Sequence, residues 1–218
     1  MPEFKKFFRV RLGLGAVIIA CQTSPFCQAQ PVKIQAPENP PFKEIFQKGF
    51  RSQGIASIDR LTQDANQTFC SDPRRAQSAA GMKEARMIEQ RNLESIKAPT
   101  DGVYLGDWRN GEKIAQSGRG LTWSDVPETP VGGGCYNCHQ IDEHEIAYGN
   151  LGPSLWHYGK NRGSSKEVLI YTWNRISNAK AYNACSQMPR FAHSQILTEK
   201  QIQDLMALLL DPNSAVNQ

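Results

Sequence analysis

Beyond residue 29 the chain has no apolar run approaching the ~20 residues that a bilayer-spanning helix needs, so a membrane-spanning mature protein is not expected. It also lacks an internal repeat, a glycine-rich loop that would cradle phosphate, and the Ser/His/Asp order of a hydrolase. Excess positive charge is scarce where it would matter. The formal net charge is +4, but the first 29 residues hold four basic side chains and one acidic one, and without them it is +1. That balance argues against a nucleic-acid surface. Cysteine is sparse as well, at six, and two of the six fall within those first 29 residues.

What is present is concentrated in one short stretch, VGGGCYNCHQ at residues 131–140. Its core, Cys135-Tyr136-Asn137-Cys138-His139, is the pentapeptide to which haem is attached in c-type cytochromes. Two thiols on one turn add to the two vinyl groups of haem, and the adjacent histidine reaches the iron. A zinc site would need a second ligand pair at close spacing, and a thioredoxin-like site a strand-to-helix context. The sequence offers neither, so one covalently bound haem c is expected on Cys135 and Cys138, with His139 as an axial iron ligand.

Attachment of c-type haem takes place outside the bacterial cytoplasm, and the N-terminus carries a matching export signal. Lys5, Lys6, Arg9 and Arg11 precede an apolar segment at residues 12–20 that is too short to cross a bilayer. Two processing sites fit. Cleavage after Ala29 would release residues 1–29 and place a soluble protein in the periplasm. The alternative is a lipobox, Ile18-Ile19-Ala20-Cys21, leaving the protein lipid-anchored through Cys21 and facing the periplasm. Cysteine parity favours the first. After removal of Cys21 and Cys27, Cys70 and Cys185 are left beside the two haem thiols, and in an oxidising compartment they are expected to form a disulfide.

The expected fold class is mainly α. A proline-rich linker is followed by Phe42, Ile45, Phe46 and Phe50 at helical spacing, then by a second apolar stripe at Ile55, Ile58 and Leu61. Phe42, Ile45 and Phe46 form an apolar face suited to docking or to packing on the core. Residues 73–96 suit an exposed helix, so residues 30–100 read as linker and N-terminal helical extension, and residues 101–218 as the haem domain. Ser164 with Glu167, and Thr198 with Gln201, predict two capping boxes, and Leu197 with Ile202 a hydrophobic staple. Ile202, Leu205, Met206 and Leu209 give the last helix its apolar face, and Asp211-Pro212 ends it. Gly132, Gly133 and Gly134 read as slack for a close approach to haem.

Several of these segments resemble class I cytochromes c. Gly152-Pro153-Ser154-Leu155 is similar to the GPxL of that family, whose proline carbonyl accepts the Nδ1 proton of the ligand histidine; the resemblance gives Pro153 that role. Residues 106–115 resemble the first helix of the fold, which crosses the last one at a glycine, with residues 121–129 as an insertion. For the second axial ligand the chain offers His144, His157, His193, Met206 and Met188. Met188 stands in Met188-Pro189-Arg190-Phe191, forty-nine residues after His139 and ahead of the last helix, where the family places its methionine. A thioether is a soft neutral ligand that favours ferrous iron. Arg190 is a candidate donor to a haem propionate.

The set Gly149 with residues 150–155, Tyr158-Gly159-Lys160-Asn161-Arg162-Gly163, Cys185-Ser186-Gln187-Met188-Pro189-Arg190-Phe191 and the ending LLLDPNSAVN resembles the SoxX family. SoxX proteins are the single-haem cytochrome subunits of SoxAX, the L-cysteine S-thiosulfotransferase of bacterial thiosulfate oxidation. The resemblance covers the C-terminal half. It implies a class I cytochrome c-like domain that accepts electrons when thiosulfate is oxidatively joined to a cysteine of the SoxYZ carrier. The implied partners are a SoxA-type cytochrome that holds the catalytic haem, SoxYZ transiently, and a small soluble cytochrome c as electron acceptor. No residue of this chain is then catalytic, and no activity is expected of it alone. The alternative is a free-standing periplasmic monohaem cytochrome c that shuttles electrons.

Overall fold

Side-chain caps set most of the helix boundaries. The computed structural model describes residues 42–218, so the export signal, both processing sites and the proline-rich linker lie outside the described residues. Within it are eight α-helices: α1 (Phe42–Gly49), α2 (Ala65–Cys70), α3 (Pro73–Ala76), α4 (Ala79–Glu94), α5 (Trp108–Gln116), α6 (Tyr158–Arg162), α7 (Lys166–Ser177) and α8 (Glu199–Leu210). Short 3₁₀ turns at Ile58–Leu61, Cys135–Asn137, Ala179–Ala181 and Ala215–Asn217 complete the regular structure. The described residues contain no strand beyond an isolated bridge between Gln53 and Ala56. The protein is therefore mainly α.

The centre of the fold is the crossing of α5 and α8. The capping box of Thr198 and Gln201 starts α8, satisfying amides at its first turn that would otherwise lack partners. Leu197 and Ile202 are both buried there, as a hydrophobic staple requires. Ile202, Leu205, Met206, Leu208 and Leu209 then enter a core shared with Ala115, Trp173, Ile176 and Phe191. Each such side chain, fully buried, stabilises the fold by roughly 1.5–3 kcal/mol. Glycine makes the crossing tight: a Cβ on Gly111 would lie 2.1 Å from the Asp204 carbonyl oxygen. The Asp204 carboxylate, buried at this point, accepts the Asp107 amide at 2.8 Å and pairs with Lys200 at 2.6 Å.

Three local expectations are corrected. Helix α7 is capped by Ser165, whose Oγ accepts from the Val168 amide, and not by Ser164; Ser165 Oγ also donates to Glu167 at 2.8 Å. Of the second apolar stripe, Ile58 and Leu61 lie in one 3₁₀ turn and Ile55 precedes it, so no α-helix forms there. The helix expected over residues 73–96 is divided, because Asp72 caps α3 and Ser78 starts α4 anew. In α1, Ile45 is 54% exposed and Phe46 43%, so this face does not pack into the core.

The extension reaches the core through α2 and α4. Phe69 and Ile88 bury against Ala184, and a disulfide joins Cys70 to Cys185 across a separation of 115 residues. Asn178 donates to Asn92 at 2.9 Å, and Glu89 accepts the Ala184 amide at 3.0 Å. These contacts fix residues 178–185, immediately before Met188. At the other end Asn217 acts as a clasp. Its Oδ1 accepts the Gly159 and Lys160 amides at the start of α6, while its Nδ2 donates to the Leu209 and Asp211 carbonyls at the end of α8.

Candidate functional site

The chain turns sharply to present Cys135 and His139. Gly133 and Gly134 donate their amides to the Ile114 and Ser117 carbonyls at 2.8 Å, capping the end of α5. Gly134 takes a left-handed conformation (φ +57°), and a Cβ on Gly132 would lie 2.0 Å from the Ser117 carbonyl oxygen. The three glycines therefore allow a close approach to the end of α5. The 3₁₀ turn Cys135–Asn137 follows at once.

His139 is held by the loop at residues 149–155. Its Nδ1 lies 2.7 Å from the Pro153 carbonyl oxygen. A carbonyl only accepts, so Nδ1 carries the proton and Nε2 keeps its lone pair, the form in which imidazole binds a metal. Gly152 makes room for this: a Cβ there would lie 2.1 Å from His139 Cε1. Leu155 is tied back through its amide to the Gln140 carbonyl at 2.7 Å.

Cys135, His139, Pro153 and Met188 line one cavity of about 330 Å³, whose remaining wall is largely apolar and includes Leu205 and Leu208 of α8. That volume falls at the lower end of the ~300–1,000 Å³ typical of ligand pockets. Cys138 follows Cys135 on the same turn and is part-buried, but is not part of the wall. Both thiols are free. Burial pushes the Cys135 thiol up to about 12, opposite to the lowered value of a redox-active CxxC cysteine. Among the described residues no three His, Cys, Asp or Glu side chains converge as a metal site.

The five candidates for a second axial ligand separate cleanly. His144 is 83% exposed and bonded to Asp142 at 3.0 Å. His157 stacks on Trp156, with its Nε2 2.7 Å from the terminal Gln218 carbonyl oxygen. His193 lines a different cavity, and Met206 is wholly buried in the core. Met188 alone of the five shares the cavity of His139.

Arg190, the candidate donor to a propionate, has a protein partner of its own. Its guanidinium bonds Asp64 at 2.5 Å and lies outside the wall of this cavity, because the N-capping carboxylate of α2 is the nearer anion. The cationic side chains at the cavity are Arg162 and Arg175, which the sequence reading did not single out. They lie 5.7 and 6.0 Å from the centre of the Tyr171 ring, and the ion pairs of the described residues include neither.

No family model matches the chain. Over 210 residues it is 35% identical to an uncharacterized lipoprotein from Aquifex aeolicus (strain VF5), an alignment that covers 94% of this chain and 96% of that protein.

Proposed function

The chain belongs to the family of that Aquifex aeolicus lipoprotein, and we propose that it is a c-type cytochrome with one haem, the electron-accepting subunit of a SoxAX-type complex. The observation that carries the reading is the meeting of Cys135, His139 and Met188 on one apolar cavity, with His139 Nδ1 committed to Pro153. These residues fit the group: Cys135 and Cys138 supply the thiols, His139 a metal-ready nitrogen, Met188 a soft thioether, and the wall a low-dielectric surround. Bound haem would take up and release one electron at a time. Arg162 and Arg175, cations without a carboxylate partner among the described residues, suit its two propionates in place of Arg190.

The chain's own part is then to hold and shield. With haem bound, His139 and Met188 would both be committed to the iron and Cys135 and Cys138 would be thioethers, while Cys70 and Cys185 are paired, so the sulfur chemistry belongs to a partner. The resemblance to SoxX supplies that partner: a SoxA-type cytochrome that joins thiosulfate to a carrier-protein cysteine, releasing two electrons. The relative's being a lipoprotein favours anchoring through Cys21 over cleavage after Ala29. An anchored protein in turn favours a subunit of a fixed complex over a freely diffusing shuttle. No helix of the described residues is long and apolar enough to cross a membrane.

Reconstitution tests the assignment. The purified chain is expected to conjugate no thiosulfate to the carrier, and addition of the SoxA-type subunit to start conjugation while the haem of this chain becomes reduced. Turnover by the isolated chain would contradict the proposal. So would full activity of the partner with a Cys135→Ala/Cys138→Ala variant.

A further inference from the structure

A second set of charges lies beside α2, away from the thiols and His139. Lys180 and Arg190 both line a separate cavity of about 370 Å³. Lys180 is only 7% exposed; its Nζ donates to the Ala184 carbonyl at 2.9 Å, and the ion pairs of the described residues do not include it. Arg190, its side chain 11% exposed, has one partner, Asp64. The cavity therefore holds two cations against a single carboxylate. His193 adds no third charge at neutral pH, since burial and then Arg190 lower its pKa. Burial and Arg190 also lower that of Lys180, the cost of confining two like charges with one counter-ion.

The rest of the wall mixes neutral polar side chains, Ser186 and Ser194 among them, with the apolar Met188, Pro189 and Ile196. An ammonium as buried as that of Lys180, with no ion pair of its own, is stabilised by a bound anion. The Ser186 and Ser194 hydroxyls beside two cations favour an anion with several acceptor oxygens over a spherical halide. We propose that this cavity binds a small tetrahedral oxoanion of the sulfate or phosphate class, held by Lys180 and Arg190. The site does not depend on the haem assignment, although Met188 contributes to the walls of both cavities.

Calorimetric titration of the full chain with sulfate, and separately with phosphate, against chloride at matched ionic strength tests this. One oxoanion per chain is expected, and Lys180→Met should weaken it by about tenfold or more, the worth of a hydrogen bond to a charged group. Asp64→Asn keeps a capping side chain on α2 while removing the competing carboxylate, and should tighten binding. The exposed Lys166→Met serves as a control and should leave the affinity unchanged. If neither oxoanion binds better than chloride, or if Lys180→Met retains the parent affinity, the proposal is overturned. Should Lys180→Met fail to fold, Asp64→Asn decides, and an affinity that does not rise overturns it.

Discussion

Replacing Met188 by alanine is expected to abolish the weak near-red absorption band of the ferric protein, which methionine coordination gives, and to lower its reduction potential. Axial-ligand identity moves haem potentials over a span of about 0.8 V, so a fall on the order of 100 mV is expected. Met188 is also a part-buried wall residue, and its truncation alone would destabilise the fold, by up to the roughly 2–5 kcal/mol found for fully buried methionines. Met188→Leu separates the two roles, because it refills the wall with a side chain of similar volume and cannot ligate iron. A ligand predicts loss of the band in both variants. A packing residue predicts loss of stability in the alanine variant and an intact band in both, and that outcome would defeat the assignment.

The second large effect concerns the Cys70–Cys185 disulfide. In the chain-entropy model, closing a loop of 115 residues stabilises the native state by about 5 kcal/mol, less any strain. Cys185→Ser, or reduction of the parent protein, should therefore lower the melting temperature markedly. The apolar contacts of Phe69 and Ile88 with Ala184 would remain, so the extension should loosen before the α5–α8 core unfolds. Because Cys185 lies three residues before Met188, the near-red band should be lost at a lower temperature than helical structure. Alkylation of the unreduced protein should label neither Cys70 nor Cys185, and labelling of either would refute the pairing.

The parts of the site that were legible beforehand are those in which one residue type has one use. The histidine between the thiols and the Gly152-Pro153 turn pointed to a specific carbonyl, and the structure has that bond at 2.7 Å. The Thr198–Gln201 cap was equally direct, since both halves of the capping box lie within one turn. The partner of Arg190 was not legible: Asp64 reaches its guanidinium only because α2 folds back across 126 residues of sequence. The α5 contacts of the three glycines were out of reach for the same reason, since the Ile114 and Ser117 carbonyls approach them only once α5 is in place. Asn217 belonged to a conspicuous motif, but its function as a clasp needs both ends of α6 and α8 in view. In each case a local signal named the residue, and a distant segment chose its partner.

The covalent attachment of haem is the claim on which the rest depends, and mass spectrometry of the protein from cells that mature c-type cytochromes tests it directly. The expected result is a chain heavier by one haem, with the modification on the peptide containing Cys135 and Cys138 and with neither thiol open to alkylation. A chain of unmodified mass, with both thiols alkylated after denaturation, would contradict the account.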